Sequence, residues 1–394
     1  MLTSRLLRRR MLLAVLTLSV ATGLASRTDK AYADSKNPIM VGIITTLTGA
    51  GAVSGVPTEN GIMLAIKQAN RAGGINGRPI EVKVYDDEQN GATAATLAQR
   101  LIDVDNVKVI VGTPYTGTAV AVVRAASAKK IPVIVPIAQS PEVLQVSPTW
   151  AFRTSPNNVA DIEGIIKFVK SKGWKKIGIL YDTQAYGLSG KKILEDLVPK
   201  AGLQIAGEEA MTMNASDVTA QATKLKDSHP DVVIPWLSVG SDTARLVIDA
   251  RAIGWTVPIV SGRSVTFDVF VNMVGKAAEG GVYSMANLDR NLQKSREFMD
   301  LYKKEYGDLK TIDYAAASYD AGRVLVEALK RAGAGVDDPA KIRDAIEAVK
   351  LMAVTGPEGS EISFSKDNHE GSNGNALVPL IFKDGHFVSL RGSI

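Results

Sequence analysis

Hydrophobic and polar positions along this chain follow two alternating rhythms. Short runs of apolar, often β-branched residues are each followed by a longer segment whose apolar residues recur every three or four positions. Ile39–Thr46 is a run of the first kind and predicts a strand. Thr58–Ala72, with Ile62, Ile66 and Ala69 at helical spacing, predicts a helix. The series continues with predicted strands at Ile80–Tyr85, Val107–Val111 and Val133–Pro136, and predicted helices at Ala92–Asp103 and Thr118–Ala128. Gly73-Gly74 and Asn76-Gly77 mark the exit of the first helix, where left-handed backbone is needed.

A second series begins after Arg153. Asn157 or Asn158 offers a cap for a helix running to Lys172. Strands at Lys176–Tyr181, Leu203–Met211, Val232–Trp236 and Pro258–Ser261 then alternate with helices at Gly187–Ala201, Asp217–Asp227 and Ser241–Ile253. Repeated βα units imply parallel sheets covered by helices on both faces. Two such series, each of domain size, predict an α/β chain with two doubly wound, Rossmann-like lobes. After Met285 come three further helices, Leu292–Tyr306, Tyr314–Ala332 and Pro339–Val349, then strand material at Gly356–Phe364 and Val378–Leu390.

Charge changes the picture at one end. The 394 residues contain 46 Lys and Arg against 41 Asp and Glu, a net charge of +5. Residues 1–33 hold Arg5, Arg8, Arg9, Arg10, Arg27 and Lys30 against Asp29 alone, so the remainder is balanced and exerts no general pull on nucleic acid. That first segment has a basic start, an apolar run Met11–Leu24 shorter than the ~20 residues of a membrane span, and the small-x-small pattern Ala31-Tyr32-Ala33. It reads as a cleavable signal peptide, residues 1–33, used by the Sec or, given Arg8-Arg9-Arg10, the twin-arginine route. A periplasmic location is expected.

Candidate chemistry excludes more than it offers. With no Cys, thiolate metal sites and thiol nucleophiles are unavailable. Gly49-Ala50-Gly51-Ala52-Val53-Ser54-Gly55 misses the dinucleotide fingerprint by one position, and Pro57 argues against an immediate helix. Neither a P-loop nor a Gly-x-Ser-x-Gly elbow is present. His229, His369 and His386 sit singly near turns and read as solvated; Asp86-Asp87-Glu88 reads as a charged loop end. No catalytic residue, metal site or cofactor is expected. The polar loops after the strands offer binding instead. Pro114-Tyr115-Thr116-Gly117-Thr118 leads into a helix start that could seat a carboxylate or phosphate, or could merely cap the helix. Pro136–Pro141 and Tyr181–Gly187 are similar loops in the two series.

These loops carry a resemblance. Gly42–Gly49, Ala72–Pro79, Tyr85–Glu88, Val133–Pro141, Phe152–Pro156, Tyr181–Gly187, Ala277–Gly280 and Tyr319-Asp320-Ala321, in this order, resemble the type I periplasmic binding proteins of the branched-chain amino acid transport family. The resemblance covers nearly the whole chain after the signal. It implies two lobes joined by a three-strand hinge, residues 36–153 with 288–355 and residues 154–287 with 356–394. It also implies a monomer that closes on a small carboxylate or amino-acid ligand and docks on an inner-membrane ABC permease with its ATPase. A periplasmic ligand sensor is the alternative role.

Residue by residue, the resemblance places Thr116, with Tyr115 beside it, at the ligand's carboxylate, and the backbone of Ile137, Ala138 and Gln139 next to it. Tyr186 matches the tyrosine that covers the ligand. Ser54 and Val239 stand where the family has aromatics, with Trp236 close to the second. Arg263 falls where the family places an acid against the ligand's ammonium. A guanidinium there repels an ammonium and suits a carboxylate. The expected ligand is therefore an aromatic, oxo or dicarboxylic acid without a free ammonium, the alternative being a conventional leucine, isoleucine or valine binder.

Overall fold

The computed structural model of the chain describes residues 37–307, 311–372 and 376–390. The expected signal peptide lies outside the described residues. The first series of strands, β1 (Ile39–Thr45), β2 (Ile80–Asp86), β3 (Ile110–Gly112), β4 (Val133–Val135) and β5 (Ala151–Arg153), forms an all-parallel sheet in the order β2-β1-β3-β4-β5. Both faces of its central strands are covered, which is why Ile39, Val41, Ile43 and Ile44 are all buried in one strand. The connecting helices are α1 (Ala52–Arg71), α2 (Gly91–Asp103), α3 (Thr116–Ala128) and the short α4 (Glu142–Gln145).

The second series, joined by helices α5 (Asn158–Ser171), α6 (Ala185–Lys200), α7 (Thr219–Asp227), α8 (Gly240–Ala252) and α9 (Asp268–Val274), builds another sheet. Its parallel strands are β6 (Lys176–Asp182), β7 (Gln204–Met211), β8 (Val232–Trp236), β9 (Ile259–Ser261) and β10 (Val282–Ala286). Helices α10 (Gln293–Tyr306), α11 (Ile312–Ala332) and α12 (Pro339–Glu347) follow, then the small antiparallel pair β11 (Lys350–Met352) and β12 (Glu361–Ser363). The hairpin β13 (Val378–Lys383) and β14 (His386–Ser389) closes the second sheet in the order β14-β13-β10-β9-β8-β6-β7, with β13 antiparallel to β10.

α11 packs on α1 although the chain between them builds an entire second lobe. Ile62 and Ile66 of α1 share one core with Ala321, Val324 and Leu325 of α11. The helices approach so closely that a Cβ on Gly61 would stand 2.2 Å from the Ala315 carbonyl oxygen.

The chain passes between the sheets three times, after β5, after β10 and between β12 and β13. These crossings lie against one another. The Arg153 backbone, at the first, bonds to His369 and Gly371, in the third, at 3.0 and 2.8 Å, and Asn287, at the second, accepts through its carbonyl from Gly356 N–H, in the turn before β12, at 2.6 Å. The crossing expected at Gly356 comes later in the chain, because Ile362 and Phe364 are buried in the core of the first sheet. Three other expectations give way. The strand expected over Val107–Val111 is laddered from Ile110 onward. β5 was absent from the expected elements. α1 starts at Ala52 and runs through Pro57, and hydroxyls add bonds to its first turns: Thr58 Oγ1 donates to Ser54 O at 2.8 Å and Thr45 Oγ1 to Gly55 O at 3.1 Å. Among the described residues no helix is long and apolar enough to cross a membrane.

Candidate ligand-binding site

Each sheet reverses its strand order, between β1 and β3 in the first and between β6 and β8 in the second. Loops at the carboxyl ends of strands diverge at such points and leave a crevice. The two crevices face each other across a small shared cavity. Pro114, Tyr115 and Thr116 reach it from the loop after β3, and Ile137 and Gln139 from the loop after β4. The second lobe contributes Tyr186 from the start of α6, Leu237 and Ser238 after β8, and Arg263 and Ser264 after β9; Tyr314 enters from α11.

Of the residues expected from sequence, Tyr115, Thr116, Ile137, Gln139, Tyr186 and Arg263 therefore meet in one cavity. Ser54, Ala138, Trp236 and Val239 do not line it, and each has a visible reason. Ser54 is buried inside the first turns of α1. The Ala138 carbonyl is turned away, accepting from Arg153 Nη1 at 2.9 Å. Trp236 lies behind Tyr186, the rings stacked at 5.3 Å, and Val239 is the buried residue preceding α8. Tyr314 and Ser238 were not anticipated. Tyr314 sits at the head of a helix whose periodicity signals packing alone, and indeed its ring abuts Phe267 edge-on at 4.6 Å.

The cavity is polar and unevenly satisfied. Arg263 is buried with 1% of its side chain exposed, and its Nη2 donates to Asp161 Oδ2 at 3.0 Å and Oδ1 at 3.3 Å. Its Nε and Nη1 have no hydrogen-bond partner, and neither has Thr116 Oγ1. Thr116 does not cap α3, since Tyr115 occupies the cap position without a side-chain bond. Buried donors without acceptors are rare and costly. Three donor atoms of this kind on two residues that line one cavity fit an acceptor-rich, anionic group.

Asp161, in the first turn of α5, also accepts from Gln139 Nε2, so it ties the loop after β4 to the second lobe. Burial raises its pKa, while Arg263 and Gln139 pull in the opposite direction. Burial disfavours the Arg263 charge, but Asp161 more than offsets this and holds its pKa above the ordinary value. Burial likewise pushes the Tyr314 hydroxyl up to about 12 and Tyr186 well above its usual range, so both stay protonated donors. Asp182 at the end of β6 accepts from the backbone N–H groups of Gln184 (2.9 Å) and Ser238, which fixes the loop after β8.

Among the described residues, no Asp or Glu lines the cavity. Among the described residues no cluster of His, Asp and Glu has the arrangement of a metal site. Asp86 and Asp87 are spent on local bonds, Asp86 to Leu47 N–H and Thr48, and Asp87 to Thr46 and Thr113. His229 and His386 are exposed, as expected, but His369 is 6% exposed and stacks on Phe152 at 3.9 Å, where burial lowers its pKa.

The profile of the periplasmic binding protein family matches residues 38–385. Leu/Ile/Val-binding protein homolog 7 of Brucella suis biovar 1 is 25% identical over 392 residues, spanning 95% of this chain and 96% of that protein. The leucine-, isoleucine-, valine-, threonine- and alanine-binding protein of Pseudomonas aeruginosa is 25% identical over 331 residues, 83% of this chain and 87% of that protein. Among solved structures, a type 1 periplasmic binding protein from Bordetella pertussis Tohama I has a TM-score of 0.81 at 23% identity, covering 90% of this chain and 99% of its own. The chain, with its two facing α/β lobes, belongs to the periplasmic binding protein family, with the type I fold.

Proposed function

We propose that this chain is the periplasmic solute-binding component of an ABC importer, closing its lobes on a small carboxylate-bearing ligand that lacks a free ammonium. The observation that carries the ligand chemistry is Arg263, buried at the cavity with Nε and Nη1 unpartnered. Thr116 Oγ1 supports the same reading from the opposite lobe. An amino acid would bring an ammonium beside this guanidinium, whose free N–H groups are donors, with no carboxylate on the cavity wall among the described residues to receive it. An ammonium stripped of its hydration without an acceptor to replace it is costly. Aromatic, oxo and dicarboxylic acids fit the donor set. The relatives' names favour aliphatic amino acids, which makes the choice testable. Inner-membrane permease and ATPase partners follow from the role, and hinge bending from the fold.

The test is a thermal-shift and calorimetric screen of protein unfolded and refolded to strip carried-over ligand. Its panel holds leucine, isoleucine, valine, aromatic carboxylates, oxo acids and dicarboxylates. A ligand present at 100 times its Kd stabilises by about 2.7 kcal/mol. Shifts by acids without an ammonium, abolished in Arg263→Gln, are the expected result. Shifts by leucine, isoleucine or valine alone would overturn the ligand assignment.

A further inference from the structure

We propose that Asp161 sets the charge selectivity of the cavity, neutralising and orienting Arg263 from behind so that one carboxylate finds a seat and a second does not. The inference rests on the carboxylate reading above and narrows it to monocarboxylates.

Asp161 is buried, 1% of its side chain exposed, and is not among the cavity-lining residues. Its carboxylate holds Nη2 of Arg263, which fixes the rotation of the guanidinium and leaves Nε and Nη1 to donate. The remaining charges nearby are already matched within the protein. Arg153 pairs with Glu370 at 3.0 Å, and Arg290 with Asp313 at 3.2 Å. Asp182 is stabilised by backbone N–H groups. Arg263 is thus the only cation lining the cavity among the described residues, and Asp161 already balances its charge. One incoming carboxylate gains the unpartnered donors of Arg263 and Thr116. A second would have to shed its hydration with no cation left to receive it, which buried charge does not tolerate. Asp161 is equally closed to an ammonium, being occupied by Arg263 and Gln139.

The test compares matched acids by isothermal titration at pH 7.5, butyrate against succinate and benzoate against terephthalate. Wild-type protein is expected to bind the monocarboxylate of a pair at least tenfold more tightly. Asp161→Asn keeps the size and one acceptor oxygen but removes the charge, and should cut that preference at least fivefold. A purely structural role would weaken both acids alike and leave the ratio unchanged, which would overturn the proposal, as would a wild-type preference for the dicarboxylate. If melting curves show Asp161→Asn unfolded, the wild-type preference decides. Arg263→Gln separates the two levels. Carboxylate binding that survives it, or no binding of any acid by the wild type, removes the cavity reading and this inference together. Binding lost in Arg263→Gln with an unchanged ratio in Asp161→Asn removes only the role of Asp161.

Discussion

Thr116, proposed above to meet the ligand, illustrates how a residue kept for binding would differ from one kept for folding. Its hydroxyl is buried without a partner, so it costs the unliganded protein desolvation energy and returns nothing there. Thr116→Val keeps the shape and removes that cost. We therefore expect an unchanged or raised Tm in the absence of ligand, with ligand affinity falling about tenfold, roughly 1.4 kcal/mol; melting curves with and without ligand check both signs. Thr116, Arg263, Tyr186 and Gln139 were legible because they sit in loops at strand ends, where the chain concentrates polar residues. Asp161 and Tyr314 were not, because each looks like an ordinary first-turn residue of a helix. Their importance comes from partners distant in sequence, Arg263 for Asp161 and Phe267 for Tyr314, and no local pattern carries that.

Elements were read most closely where an uninterrupted pattern marks them. The 3.6-residue rhythm finds α11 and α2 to within two residues, and the β-branched runs find β1, β6 and β8. β5 escaped because three residues are too few to show a period, and the hairpin β13–β14 read as one strand because its turn is only Asp384-Gly385, both at positive φ. The first turn of α8 holds a pH-dependent stability element. Burial raises the pKa of Asp242 to about 6, opposed by the Asn214 N–H and reinforced by Asp182. A carboxyl raised in the fold contributes stability below its unfolded pKa, near 4, and loses it as pH rises through about 6. Asp242→Asn, retaining an acceptor for Asn214 N–H, should therefore raise Tm at pH 7.5 relative to wild type. The gain should shrink toward zero near pH 4, and melting curves across that range would show a flat difference if the side chain did not titrate.

At the scale of the molecule, the first and last crossings depend on Arg153. It is fully buried and grips Glu370 through Nε and Nη2 at 3.0 Å each, while Nη1 donates to the carbonyls of Ala138 and Ser140 at 2.9 Å. The same side chain thus holds the first crossing, the last one and the loop that carries Gln139. Glu370→Gln leaves a buried guanidinium without its counter-charge. We expect a loss of roughly 3 kcal/mol in denaturant titration, the lower end of the range for such pairs, because Glu370 itself is 28% exposed.

The lobes are also discontinuous in the chain, and α11 lying on α1 fixes the order in which they can be completed. A ribosome that has synthesised the chain through β10 has delivered every parallel strand of both sheets but not the helix that roofs the first. Until α11 emerges, Ile62 and Ile66 lack their partners in the core and remain open to water or to a chaperone. Such long-range closure slows folding. The lobe that is begun first therefore stays incomplete until every parallel strand of the second has been made, so its first half must be held ready while the rest of the chain is still arriving.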